Sequence, residues 1–245
     1  MTKNLWDKKA TNFPRFGEFK DEDNVVFEYF SKEGRIWENK IVLDLGCGNG
    51  RYGLFFADLA KKLYMLDISP KMLENVANDA KKLGFYNVEI ICANWEHFVP
   101  NNLNIDIVFA SLTPALNTFE RFKKAYILAK EAIFYVGWGR IRESRLLNEV
   151  FSAHNAKVIL PNGAEFVCEC LKKMNAKIPQ ITYIQKEITH QKPLKQTILD
   201  IAWQLEAHKI KPDSKMIEKI AKKYTKDNIT TYTTKMENGL LYIKK

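Results

Sequence analysis

No apolar run in this 245-residue chain approaches the ~20 residues of a membrane-spanning helix, so a transmembrane segment is not expected. The opening, MTKNLWDK, lacks the apolar core of a secretory leader, and the expected location is the cytoplasm. Cysteine is sparse. Cys47, Cys92, Cys168 and Cys170 are the four, and the pair at 168 and 170 falls in a helical stretch, where i and i+2 do not share a face. With no second Cys or His pair, they form no zinc site. The four histidines, His97, His154, His190 and His208, show no metal-ligand spacing either. No metal is therefore expected. Internal repeats and low-complexity tracts are also absent, and one domain over residues 1–245 is expected.

Acidic residues are in deficit. The net charge is +9, and residues 161–245 hold 16 Lys+Arg against 9 Asp+Glu. A basic third of this kind can face nucleic acid. Most of these cations are lysines alternating with apolar helix positions, which reads more simply as solvated faces.

What is present is concentrated at Ile41-Val-Leu-Asp-Leu-Gly-Cys-Gly-Asn-Gly50. An apolar β-branched run ends in Asp44 and Leu45, then glycines alternate at 46, 48 and 50. Leu54–Ala60 follows as an expected helix. This is strand, tight turn, helix, the first unit of a doubly wound sheet. The dinucleotide fingerprint G-x-G-x-x-G would require its third glycine at position 51, which is Arg51. The carboxylate just before the turn suits a cationic ligand instead. A second apolar strand, Lys62–Leu66, ends in Asp67, 23 positions after Asp44 and near the ~20-residue spacing at which an acid reaches a ribose diol. Ser69 and Pro70 then open a helix as N-cap and first-turn residue, and Gly84 closes it.

Asp44-x-Gly46-x-Gly48-x-Gly50 with Asp67 resembles the class I S-adenosylmethionine (SAM)-dependent methyltransferases. The resemblance covers residues 40–140 well and the remainder by architecture only. It implies SAM as cofactor and a doubly wound α/β fold with a mostly parallel seven-stranded sheet, an antiparallel C-terminal edge strand and a helical insertion around 193–225. It divides the chain into an N-terminal segment (1–39), a SAM-binding core (40–140) and a C-terminal part (141–245). The implied cofactor set is Asp44, Gly46, Cys47, Gly48, Asn49, Gly50, Asp67, Ile68 packing on adenine, Asn94 meeting the adenine amino group, Trp95 stacking on the ring, and Ser111 at the end of the fourth strand. For Trp95, ordinary core burial is an equal alternative.

The Trp- and Phe-rich start (Trp6, Phe13, Phe16, Phe19) is expected to pack as a cover. Its Trp6-Asp-Lys-Lys-Ala10 is similar to small-molecule methyltransferases in which this segment closes over the cofactor, and Arg15 could meet the SAM carboxylate there. A helix is expected over 21–38. Ser111-Leu-Thr-Pro114 stands where the amino-directed enzymes of the family carry Asn/Asp-Pro-Pro-Tyr/Phe, which argues against a base amine or glutamine amide as acceptor. Trp138, Arg140 and Arg142 could bind an acceptor carboxylate or ring, and Glu96, His97 and Glu143 are candidate bases. Glu237-Asn-Gly239 reads as a hairpin turn. The leading expectation is a small-molecule methyltransferase. Alternatives are an RNA or protein methyltransferase using the basic third, and a non-catalytic SAM-binding module.

Overall fold

In the computed structural model, residues 3–18, 21–31, 36–100 and 103–245 are described. Phe19 and positions 32–35 of the helix expected over 21–38 lie outside them. Two short helices lead, α1 (Lys3–Asp7) and α2 (Asp21–Ser31). Then β1 (Ile41–Leu45), β2 (Lys62–Asp67), α3 (Pro70–Lys82), β3 (Val88–Cys92), β4 (Ile107–Ser111), α4 (Phe119–Leu128) and β5 (Ala132–Glu143) build the parallel part. The rest comprises α5 (Arg145–Ala153), α6 (Ala164–Lys173), β6 (Thr182–Pro193), α7 (Leu194–Ala207), α8 (Ser214–Ala221), β7 (Thr225–Lys226) and β8 (Ile229–Lys244). No helix among the described residues is long and apolar enough to cross a membrane.

The strand order is β3-β2-β1-β4-β5-β8-β6, with β7 paired to β8. β1 pairs in parallel with β2 (Ile41 to Lys62, Leu45 to Leu66) and with β4 (Val42 to Ile107). The chain order therefore reverses between β2 and β4, on either side of β1. In an open α/β sheet, ligands bind at that switch point, beyond the C-terminal strand ends. Two compact units divide the chain. The larger contains residues 2–138, 162–183 and 239–245, and the smaller 139–161 and 184–238; β5, β6 and β8 continue from one to the other.

The larger unit is layered by strand alternation. Leu43, Leu45, Val108, Ala110, Ile133 and Tyr135 face one side, into a core with Phe122 of α4 and Val167 and Leu171 of α6. The residues between them face the other side. There Phe109 and Phe134 meet Phe30 of α2, at 5.8 and 4.9 Å between ring centroids. Trp37 stacks on Phe56 at 4.0 Å. Burying each such side chain contributes about 2–3 kcal/mol. β8 runs antiparallel to β5: Lys245 N donates to the carbonyl of Glu131, and Tyr242 stacks on Phe134. The sequence reading sets the C-terminal strand at the edge; in the sheet β8 lies between β5 and β6, and β6 is outermost.

In the smaller unit, α5, α7 and α8 pack a core of their own around Leu146, Val150, Phe151, Ile201, Leu205 and Ile217. Helices α7 and α8 are the insertion expected around 193–225. Asp213 caps α8, its Oδ1 accepting from the amides of Lys215 and Met216.

Two local expectations are corrected. Glu237-Asn238-Gly239 is no turn; it lies inside β8. Gly239 is there for close approach, since a Cβ would stand 2.4 Å from that of Ala164. The hairpin turn is Asp227-Asn228, where both residues have positive φ (49° and 62°) and join β7 to β8, as a type I′ turn requires. The helix expected over Leu54–Ala60 is a short 3₁₀ segment, Gly53–Asp58. With Gly50 and Gly53 at its start, this stretch has weak α-helical propensity.

Candidate functional site

The turn after β1 lies at the switch point, and its backbone explains its glycines. Gly46, Gly48 and Gly50 have φ of +74°, +54° and +76°, conformations that L side chains rarely adopt. Crowding adds to this at Gly46, where a Cβ would stand 1.9 Å from Thr113 Oγ1 in the loop after β4. The amides of Gly46 and Cys47 both donate to the Leu66 carbonyl, tying the turn to the end of β2.

Two carboxylates frame this turn. Asp67, 9% exposed, accepts from Gly48 N through Oδ2 (3.0 Å) and from Ser69 N through Oδ1 (2.8 Å). Each oxygen keeps a lone pair for another donor. Burial raises its pKa, against the pull of the Ser69, Gly48 and Ile68 amides. Asp44 is 2% exposed. No hydrogen bond to its carboxylate is found among the described residues, and Gly53 packs so closely that a Cβ would stand 2.0 Å from Oδ2. Burial, and secondarily the charge of Asp67, pushes Asp44 well above the usual carboxylate range. Burial and the two carboxylates likewise push the Cys47 thiol up. An Asp44 carboxylate buried without donors is costly unless a cation or donor arrives from outside the chain.

The N-terminal segment lies across the turn. Asn49 Nδ2 donates to the carbonyls of Ala10 (2.9 Å) and Phe13 (2.8 Å). Asn75 Nδ2 donates to the same Ala10 carbonyl and to Asn49 Oδ1. Ser69 Oγ caps α3 and donates to Asp7 Oδ1 at 2.6 Å. The Phe13 ring is 3.4 Å from where a Gly48 Cβ would stand. These contacts use Asp7, Asn75 and Gly53, none of which the sequence reading placed in the site. Gly53 continues the run of glycines and was open to detection; Asn75 lies mid-helix with no local signal.

The remaining expected residues divide. Ile68 and Ser111 are half-buried beside the strand ends. Asn94 is exposed, and its Oδ1 accepts from Glu96 N. Trp95 is corrected: at 3% exposed it belongs to the core, its Nε1 donating to the Arg121 carbonyl and Lys124 lying over its ring. This is the core burial weighed as the alternative to stacking on the ring. Arg15 is also corrected. Its guanidinium grips Asp79 of α3 through Nε and Nη2 (2.9 and 2.6 Å) and Asn75 Oδ1 through Nη1, so the chain already supplies its carboxylate. Arg140 is similarly held by Glu237. Glu96 pairs with Arg121.

The family model for a methyltransferase domain matches residues 36–237. Among curated relatives, a stretch of 61 residues is 38% identical to an uncharacterized RNA methyltransferase of Clostridium acetobutylicum, covering 25% of this chain and 13% of that protein. A stretch of 130 residues is 24% identical to an uncharacterized protein of Haemophilus influenzae, covering 53% and 48%. The chain thus matches less than half the length of either relative. Among solved structures, a SAM-dependent methyltransferase from Aquifex aeolicus superposes with a TM-score of 0.50 at 15% identity, over 98% of this chain and 100% of that one. Coclaurine N-methyltransferase, solved with N-methylheliamine and S-adenosylhomocysteine (SAH), superposes with a TM-score of 0.52 at 14% identity, over 95% and 76%. At such identities the likeness is one of fold.

Proposed function

The chain belongs to the class I SAM-dependent methyltransferase family, and we propose that it moves a methyl group from SAM to a small-molecule acceptor. The observation that carries this reading is the glycine turn between two buried carboxylates, crossed by the N-terminal segment. The residues fit SAM. Asp67 has lone pairs free for both ribose hydroxyls, Ile68 follows it as an apolar contact for adenine, and Asn94 Oδ1 can accept a second hydrogen bond, from the adenine amino group. Asp44, buried without donors, favours the cationic end. Gly46, Gly48 and Gly50 keep the turn free of side chains.

SAM supplies a methyl on a sulfonium, already a good leaving group. The protein's work is positioning and exclusion of water. Asp44 and Asp67 hold and orient; the segment anchored by Asn49, Asn75 and Ser69 covers the turn. Ser111 and Thr113 lie on the loop after β4, where Leu112 is held at φ +45°, a strained conformation for leucine. That loop is proposed to meet the acceptor.

A second reading, RNA as acceptor, draws on the names of some relatives and on the smaller unit, which holds 15 Lys+Arg against 9 Asp+Glu. One experiment separates the two. The protein is incubated with methyl-labelled SAM and either a low-molecular-weight metabolite fraction or total RNA. Label entering small molecules, with none in RNA, supports the first reading. Salt-sensitive labelling of RNA alone replaces it with the second.

A further inference from the structure

A cleft of about 950 Å³ opens within the smaller unit. It is the size of a small-molecule site. One wall is a face of α5, where Arg145, Asn148 and Glu149 recur at helical spacing. The other is sheet, with Glu143 from β5, Lys235 from β8 and Glu187 from β6. Charges of both signs line it in balance, although the unit as a whole is basic.

Most of these charges are already matched. Glu149 accepts from Tyr224 Oη at 2.5 Å and from Lys223 Nζ at 3.1 Å. Lys235 faces Glu187 at 3.7 Å. What is left over clusters at 143–145. Glu143 is exposed and has no ion pair or hydrogen-bond partner among the described residues. The Arg145 side chain is 87% exposed and has only a 3.6 Å contact with Glu149, one turn along its own helix. Between them, Ser144 is 4% exposed, yet its Oγ has no partner. It occupies the N-cap of α5 without capping it, so the first amides of a nine-residue helix also lack a side-chain acceptor.

The surplus is one carboxylate on one side of Ser144, and one guanidinium with an uncapped helix N-terminus on the other. We infer that this cleft binds a small dipolar molecule carrying both a carboxylate and an ammonium group. The ligand carboxylate meets the α5 N-terminus, Ser144 Oγ and Arg145, where dipole and charge favour an anion. The ammonium meets Glu143. A ligand with one charge satisfies only half of this arrangement. The inference stands independently of the methyl-transfer reading.

The test is calorimetric titration of the full chain, with SAH kept in excess so that the amino-acid end of no probe competes for the glycine turn. The probes are glycine, β-alanine, γ-aminobutyrate and ε-aminocaproate, which space the two charges progressively further apart, with acetate and methylammonium as single-charge controls. The expected result is that one chain length binds at least about tenfold more tightly than either control. That gain should disappear in Glu143→Gln, an exposed position whose replacement leaves the fold intact, and shrink in Ser144→Ala. Equal binding of dipolar probes and controls, or a preference that survives Glu143→Gln, overturns the assignment.

Discussion

The larger and smaller units each bury a carboxylate, and the two are treated in opposite ways. Glu237, in the smaller unit, accepts from Arg140 N and Nε through Oε1 and from Arg140 Nη2 and Gln185 Nε2 through Oε2. These bonds, the Arg140 side chain first, pull its pKa down to about 2. Asp44, in the larger unit, has no such donor, and burial drives its pKa up. A carboxylate satisfied by its own chain holds a structure together. One buried without donors is costly until a partner arrives. On this distinction Glu237 and Arg140 are architectural, and Asp44 is proposed to serve the cofactor; Asp67, which already accepts backbone amides, is proposed to do so through its remaining lone pairs.

The largest effect should come from Glu237→Ala. It leaves Arg140 without its partner, but the Arg140 side chain is about half exposed and turns to water, so losing these charge-assisted hydrogen bonds costs about 1–3 kcal/mol. Urea denaturation should show that loss while SAH affinity stays within about twofold. If SAH binding collapses while stability is kept, the assignment of roles is reversed.

The pH dependence should run in opposite senses. Glu237 titrates lower folded than unfolded, so its stabilisation is present above its ordinary pKa of 4.5 and lost as pH falls toward about 2. Asp44 and Asp67 titrate higher folded than unfolded. Their ionisation costs stability, a cost absent in acid that grows as pH rises through their folded values. A sulfonium relieves that cost. The SAM-to-SAH affinity ratio should therefore rise as pH rises through the raised folded values of these carboxylates, measured by competition with labelled SAM. A flat ratio would mean that Asp44 does not sense the cofactor's charge.

A smaller effect is expected at Asn49, which donates to the Ala10 and Phe13 carbonyls and accepts from Asn75. Asn49→Ala should loosen the covering segment by about 1–2 kcal/mol. Hydrogen exchange of residues 8–15 should accelerate, and cofactor dissociation should quicken several-fold. Unchanged exchange would show that the segment is held by its aromatic contacts, such as that of Phe13 over Gly48.

What the sequence revealed was local. Asp44 through Gly50 and Asp67 through Pro70 each spell strand end, turn and cap within ten residues, and the structure places them side by side. What it hid was decided at a distance. Trp95 has the same composition signal whether it stacks on a ligand or fills a core, and its burial comes from partners distant in sequence, the Arg121 carbonyl and Lys124. Asn238-Gly239 and Asp227-Asn228 are both turn-prone, but Ala164 packing against Gly239 keeps the first pair extended. The cleft at Glu143 draws on three strands and two helices, so no spacing could announce it.

The most direct test titrates SAH calorimetrically into the wild type, Asp67→Ala and Glu237→Gln in parallel. The expected result is binding in the micromolar range for the wild type and Glu237→Gln, and affinity about a hundredfold weaker for Asp67→Ala, the loss of charge-assisted bonds to two hydroxyls. Absence of heat from the wild type, with no displacement of labelled SAM, or equal affinity in all three proteins, would contradict a cofactor site built on Asp67 and the glycine turn.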